Sequence, residues 1–431
     1  AKMATVKILL TFAAKLNWHL HQLDVSNAFL NGDLDEEIYM ELPPGYETPD
    51  MDMSQDHLVC KLQKSIYGLK QASRQWFLKL KGTLRALRFQ TTHSDHTLFT
   101  RLEDGIFVVI IVYVDDIIIA SSCESVVPVL ITQLEKAFKL RNIGAPQYFL
   151  GIEIARTSKG ISLCQRKYAL ELLVETGFLG CKPSSIPMEP NHSLHKDDTP
   201  LIPDPKVYRK LIGKLLYLCT TRPDITFAWG KLCQFSSAPR EVHLQALYKV
   251  LRYIKGTVGN GLFYSSDPDL TLKGFTDADW NTCPESRRSV TGFCMYIGDS
   301  LVTWRSKKQD VCSSSSAESE YRAMYVGTKE LIWIAKIMKD LGVREPITAL
   351  LYCDNEAALH IAKNSVFHER TKHVENDCHI VRDKVEDGFL KTMHVRSEHQ
   401  LADALTKPLY PTHFHTLMSK MGLFNLYEAP S

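Results

Sequence analysis

No C-x-x-C pair occurs among the 11 cysteines, and their odd number and scattered placement exclude both a disulfide framework and a zinc knuckle. A reducing compartment is the expectation. No apolar run approaches the roughly 20 residues that span a bilayer, which excludes a membrane protein. The start at Ala1 lacks the basic, apolar and small-residue order of a signal peptide, so the piece is expected to be cut from something longer. Net charge is also scarce, at +2, and phosphate binding would have to come from local clusters rather than a global excess. One such cluster is present: Lys61, Lys64, Lys70, Arg74, Lys79, Lys81, Arg85 and Arg88 fall in one stretch without an acidic residue, interleaved with Tyr67, Trp76 and Phe77. That pattern fits a phosphate backbone as well as a solvated helix face.

What is there is the material of several cores. At 431 residues, 45% hydrophobic and 23% charged, the chain is expected to form two to four soluble domains. Residues 1–178 alternate helical and strand patterns. Six prolines between Cys181 and Pro205 read as a linker, and residues 207–257 run at helical spacing through Leu211, Leu215, Leu218, Leu247 and Leu251. From about Leu270 the pattern predicts strands at 270–276, 290–297 and 301–305, a long helix at 318–340 and a strand Ala349 to Cys353. Helices near 355–363 and 372–386, a strand at 389–396 and a last helix Leu401 to Thr406 complete it.

The run Phe107 to Val114 leads into Asp115-Asp116 and then Ile117-Ile118-Ile119, two buried strands meeting at an acidic hairpin tip. A turn suits aspartate in any protein. Here the flanks are apolar and β-branched, which makes bare paired carboxylates costly unless a cation sits between them. Asp24, at the end of the strand-like stretch His19 to Val25, can complete an oxygen-only divalent-ion site.

A second acidic set lies in the C-terminal half. Asp277 and Asp354 end extended stretches, Leu272 to Thr276 and Leu350 to Cys353, and Asp403 lies in the last short helix. The long helix offers Glu318 and Glu320 near its start. Glu320 shares its face with Ala323, Met324, Gly327, Leu331, Ile334 and Met338, an apolar stripe that must turn towards a sheet, whereas Glu318 shares a mixed face with Tyr325, Lys329 and Lys336. Glu320 is therefore the expected fourth ligand. His394 and His399 read as surface histidines, and the histidines around Cys378 lack a second cysteine at zinc spacing.

These segments carry a resemblance. Gln22 to Gly32, Tyr67-Gly68-Leu69-Lys70-Gln71-Ala72 and Tyr113-Val114-Asp115-Asp116 resemble, in order, three central motifs of copia-type reverse transcriptases. Thr276 to Trp280, Ala317 to Ala323, Cys353-Asp354-Asn355 and Leu401 to Pro408 resemble the four ribonuclease H motifs of the same family, and Tyr208 to Gly213, Thr221 to Ile225 and the helical stretch Phe367 to Arg382 also resemble it. The resemblance is thus to the reverse transcriptase and ribonuclease H region of copia-type LTR retrotransposon Pol polyproteins.

The resemblance implies a multidomain α+β and α/β fold: a palm with partial fingers at 1–178, a Pro-rich linker at 179–206, a helical thumb or connection at 207–265, a ribonuclease H-like three-layer α/β domain at 266–410 and a tail at 411–431. It implies Mg²⁺, two ions per site with Mn²⁺ as a substitute, held by Asp24 and Asp115 with Asp116 as auxiliary, and by Asp277, Glu320, Asp354 and Asp403, with Asp279 a non-ligand. By the same resemblance Phe29 is the aromatic gate against a ribose 2′-hydroxyl, Lys70 and Gln71 line the nucleotide and template, and Tyr148 to Glu153 grips a primer end. The implied partners are an RNA template, a DNA primer, dNTPs, an RNA–DNA hybrid and the protease and integrase segments of a polyprotein, within a cytoplasmic retroelement particle. Ser73 stands where the family usually has proline, and the family's basic fingers segment is absent ahead of Ala1, so weak polymerisation or none is expected of this chain. Two alternatives stand beside this: an inactive retroelement remnant that binds nucleic acid, and a hybrid nuclease whose palm is scaffold.

Overall fold

A computed structural model describes residues 2–46, 59–190, 194, 199–363 and 375–427, with backbone alone for 375–378. Two compact units form: Trp18–Pro146, and Lys2–Asn17 together with Gln147–Ser431. The division therefore falls at 146 rather than at the expected 178, and the first helix belongs with the second unit.

In the first unit six strands form one antiparallel sheet, in the order Gln90–Thr91, Leu98–Glu103, Ile106–Tyr113, Asp116–Ser121, His19–Val25 and Leu140–Gly144. Helix Ala72–Ala86 buries Ala72, Trp76, Leu80 and Leu84 at every fourth position. With helix Val126–Glu135 it closes a core around Leu23, Ile110, Val112, Ile117 and Ile119. Arg74, Lys79, Lys81 and Arg85 of the basic stretch lie on helix Ala72–Ala86 and the other four flank it, and half of the charge of the stretch is already matched. Lys61 pairs with Glu37, Lys64 and Lys79 with Asp33, and Arg88 with Glu103. Lys70, Arg74, Lys81 and Arg85 have no acidic partner among the described residues.

The second unit holds two five-stranded sheets. One runs Leu423–Asn425, Asn260–Ser265, Gly160–Cys164, Ile152–Thr157 and Tyr148–Phe149, all antiparallel. The stretch 411–431, expected as a tail, thus supplies helix Pro411–Lys420 and an edge strand, and the expected helical segment 207–265 ends in a strand. The other sheet runs Ser300–Lys308, Val290–Ile297, Leu272–Asp279, Ala349–Cys353 and Leu390–His394, the first three antiparallel and the last two joined in parallel. Helix Ser316–Asp340 lies on it. Within the stretch Phe367 to Arg382, helix Glu375–Glu386 is seen, while Phe367, Arg370, Lys372 and His373 lie outside the described residues.

The first helix, Met3–Lys15, is buried from Thr5 to Lys15 and so presents no solvent face to speak of. Its two lysines are accommodated individually. Lys7 Nζ lies 3.6 Å from the centroid of the Trp304 ring, and burial holds its ammonium well below the usual lysine range. Lys15 Nζ donates to Asp267 O at 2.9 Å and to Asp299 at 3.0 Å.

The described residues of the proline-rich stretch 179–204 form neither helix nor strand, yet they are packed rather than loose. Ile186, Met188 and Leu194 are buried, Ser184 N donates to Arg252 O at 3.1 Å, and the His243 ring lies 2.8 Å from Leu194 O. Three leucine-sized anchors and backbone bonds to helix Glu241–Gly256 make it a strap over that helix.

Beneath it lies a fully buried ion pair. The Arg222 guanidinium donates to Asp224 through Nε at 3.0 Å and Nη2 at 2.7 Å, Tyr253 Oη donates to Asp224 at 2.7 Å, and Arg222 Nη1 donates to Thr257 O at 2.8 Å. Removing one partner strands the other charge in the interior, at a cost of about 3–5 kcal/mol. Arg222→Met should therefore lower the urea midpoint of the second unit steeply, and the double variant Arg222→Met/Asp224→Leu should recover much of the loss. A single variant as stable as the parent would contradict this account of the pair.

Candidate active sites

In the first unit Asp24 and Asp116 are direct cross-strand neighbours, and Asp115 sits in the two-residue turn between Tyr113 and Asp116. Val25 N donates to Asp115 O at 2.9 Å, which ties the turn to the Asp24 strand. Val114, the other turn residue, has φ of 56°, a conformation that β-branched side chains avoid. Trp76 Nε1 donates to Val114 O at 2.7 Å and so holds the strained turn from helix Ala72–Ala86. Burial pushes the Asp116 carboxyl above its usual range, the bond from Gln22 Nε2 at 3.3 Å works against that, and the charges of Asp115 and Asp24 add to it.

Phe29 lies in the turn Ala28–Asn31 with its ring 4.4 Å from that of Tyr67. Gln71 precedes helix Ala72–Ala86 and donates to Glu36 at 3.4 Å, and Lys70 is exposed beside it. Among the described residues, no group of three metal-ligand atoms within 4.8 Å of one another forms in this unit. Its three aspartates share one end of the hairpin but stand more openly than the acids of the second unit.

In the second unit, parallel pairing of Phe275 with Tyr352 puts Asp277 and Asp354 at the same level, two residues further on. Asp403 reaches them from the 3-10 turn Leu401–Leu405, and ligand oxygens of Asp277, Asp354 and Asp403 all lie within 4.8 Å of one another. Glu320, Cys353 and Asp354 form a second such group, so Asp354 joins all four acids.

Two glycines permit this approach. A Cβ on Gly327 would stand 2.5 Å from Thr276, next to Asp277, and one on Gly292 would stand 2.6 Å from Thr406. The helix of Glu320 and the turn of Asp403 thus lie closer to the sheet than side chains would allow.

Helix capping separates the two glutamates. Ser315 caps the helix by accepting from Glu318 N, while the Glu318 carboxylate accepts from Ser314 N at 2.7 Å and pairs with Arg322 at 3.0 Å. Glu320 instead turns inward and is buried. Asp279 is half-buried outside both groups, and burial pushes its carboxyl up to about 6. His394 is exposed opposite Cys353, and His399 lies 3.1 Å from Lys420 Nζ, both outside the acid groups.

Crowding sets the electrostatics. Burial, then the charges of Asp277 and Asp354, push Glu320 well above the carboxylate range. Burial and Asp277 push Asp403 up to about 7 although Lys407 pulls it down. Residues that sequence inspection did not single out offset part of this. Lys407 Nζ is 2.9 Å from Asp403 Oδ1 and 4.0 Å from Asp277, the Thr406 hydroxyl donates to Asp277, and Ser397 Oγ donates to Asp354 at 2.8 Å. Only Lys407 left a trace in the sequence, its spacing of four from Asp403.

The donor set suits a hard divalent cation, since all four acids offer oxygen and Glu320 and Asp403 are costly to keep charged without one. Burial pushes the Cys353 thiol up, so it stays protonated while no cation is bound beside it.

Asp403 takes up its proton at about 7 in the folded chain, against about 4 for a free aspartate. Between those values the folded state binds more protons than the unfolded state, so this group removes stability as pH rises. Metal-free Asp403→Asn should therefore melt at a higher temperature than the parent at pH 8, the gap closing towards pH 4. A parent that is more stable than the variant at pH 8 would refute the crowding.

Residues 1–190 match the family described as Reverse transcriptase (RNA-dependent DNA polymerase). The chain is 39% identical over 422 residues to a retrovirus-related Pol polyprotein from transposon RE1 of Arabidopsis thaliana, a match covering 98% of this chain and 28% of that polyprotein. It is 31% identical over 305 residues to a putative transposon Ty5-1 protein of Saccharomyces cerevisiae, covering 69% of this chain and 97% of that protein. Among solved structures, an RNase H1 isolated from compost by a metagenomic approach is similar over 32% of this chain and 93% of its own, with a TM-score of 0.25 and 15% identity. The chain spans less than a third of the RE1 polyprotein. It belongs to the copia-type family of retrotransposon Pol polyproteins, whose reverse transcriptase region matches its first 190 residues.

Proposed function

We propose that this chain carries two metal-dependent sites acting on nucleic acid, a nucleotidyl-transferring site in the first unit and a site that cuts the RNA strand of an RNA–DNA hybrid in the second. The observation that carries the reading is the meeting of Asp277, Glu320, Asp354 and Asp403 from two strands, a helix and a turn. When bound there, two Mg²⁺ ions would activate water and stabilise the charge that develops on the phosphodiester. The four carboxylates would hold those ions. Thr406 and Ser397 fix the orientation of Asp277 and Asp354 by donating to one oxygen of each. Lys407 keeps Asp277 and Asp403 together while the ions are absent.

In the first unit Asp24 and Asp115 take the ion-holding role with Asp116 beside them, as in a polymerase palm. Phe29 screens the sugar of a dNTP, and Lys70 and Gln71 line the nucleotide and the RNA template. The cations Arg74, Lys81 and Arg85 recur on one side of helix Ala72–Ala86 and offer a rail for template and DNA primer. Helices 207–256 serve as thumb or connection, and other Pol segments are the partners in a cytoplasmic particle. Among the described residues no helix is long and apolar enough to cross a membrane.

A second reading makes the chain a hybrid nuclease with the first unit as scaffold. It is favoured by the looser acids of that unit, which form no three-ligand group among the described residues.

Cutting of the RNA strand should require Mg²⁺ or Mn²⁺, stop with a chelator, and fall at least about 10²-fold in Asp354→Asn. Cutting that persists in this variant would remove the proposed site. Asp115→Asn should stop primer extension and leave RNA cutting in place; a parent that cuts but never extends a primer leaves the scaffold reading standing.

A further inference from the structure

Among the described residues Lys407 is the only cation ion-paired with the four acids of the second unit. Its Nζ stands 2.9 Å from Asp403 Oδ1 and 4.0 Å from Asp277 Oδ2. Oxygens of Asp277, Asp354 and Asp403 lie within 4.8 Å of one another, so the ammonium already occupies the side of two of three carboxylates that could share an ion. The lysine side chain is 35% exposed and reaches the acids from the solvent side, with open space to leave them.

A fifth carboxylate lies within the reach of that side chain. Residues two apart in a strand face the same way, so Asp277 and Asp279 share one face of Leu272–Asp279, roughly 7 Å apart. The turn that leads to Lys407 lies on this face: Asp277 pairs directly with Gly292, and a Cβ on Gly292 would meet Thr406. The half-buried Asp279 carboxylate belongs to neither ligand group and makes no hydrogen bond or ion pair among the described residues. Of the charges around it Lys407 acts most strongly, ahead of Asp277 and Lys231.

An ammonium and a divalent ion compete for the same oxygens. A +2 and a +1 charge about 5 Å apart repel, even at the dielectric of water, by enough to shift an equilibrium roughly tenfold. Ion binding therefore favours a lysine that has moved away, and Asp279 offers the negative charge to receive it.

We infer that Lys407 is an exchangeable counter-ion, which neutralises Asp277 and Asp403 in the metal-free chain and passes to Asp279 when divalent ions are held by the four acids. Lys407 and Asp279 are then positioning residues that together set how tightly the ions are held, and neither is a ligand. The inference rests on the reading of the four acids as ion ligands. It gives Asp279, the acid outside the cluster, a task in the cycle of ion binding and release.

The test is calorimetric titration of the full chain with Mn²⁺ and with Mg²⁺, at low salt and without nucleic acid, beside the melting temperature of each metal-free variant. Lys407→Met should bind ions roughly tenfold tighter than the parent, yet melt at a lower temperature without them. Lys407→Arg keeps the charge and should stay near the parent in both. Asp279→Asn should weaken ion binding in the parent and do so much less in the Lys407→Met background, where no ammonium is left to receive. Affinity in folded Lys407→Met equal to or below that of the parent would overturn the exchange, and so would an Asp279→Asn loss of the same size in both backgrounds. If Lys407→Met does not fold, Asp279→Asn alone decides, unchanged affinity overturning the exchange. Binding lost in Asp354→Asn but not tightened in Lys407→Met removes the exchange alone; binding that survives Asp354→Asn intact removes the ion-site reading and the exchange with it.

Discussion

Like charges brought within a few ångströms in a half-buried corner repel, and the architecture of the second unit is organised around tolerating that repulsion. Four elements deliver one carboxylate each, and two glycines let the long helix and the short turn sit close on the sheet. Thr406, Ser397 and Lys407 then supply donors to oxygens that would otherwise face only one another. Such an arrangement is expensive in isolation and would become favourable with a divalent cation between the carboxylates, the role proposed for it above.

The first unit solves a milder version of the problem differently. Its acids sit on a hairpin whose turn holds a valine in a left-handed conformation, and a tryptophan indole bonds the carbonyl of that residue. Backbone strain rather than charge crowding is stored there. The basic stretch beside it is half neutralised by Asp33, Glu37 and Glu103, which narrows the surface able to meet phosphate to Lys70 and one side of a helix.

Local pattern made much of this visible in advance. Strands Val290–Ile297 and Ala349–Cys353 lie where apolar runs put them, and the amphipathic stripe alone separated Glu320 from Glu318. Long-range pairing was not visible. Gly160–Cys164 joins Asn260–Ser265, which joins Leu423–Asn425, and nothing in a two-residue alternation names a partner a hundred or more residues away. The proline-rich stretch misled for a related reason: its composition forbids regular structure but says nothing of the burial of Ile186 or Leu194. Thr406 and Ser397 escaped notice because a hydroxyl carries no pattern until its acceptor is in place.

The opening helix has a consequence for how the chain is made. Lys15 meets Asp299, 284 positions later, and Lys7 meets Trp304, so this apolar segment emerges from the ribosome long before any surface that covers it. At about 5–20 residues per second the wait is on the order of tens of seconds. During that interval a helix without a polar side is exposed to chaperones and to self-association, and the nascent first unit must complete its own core between two halves of another.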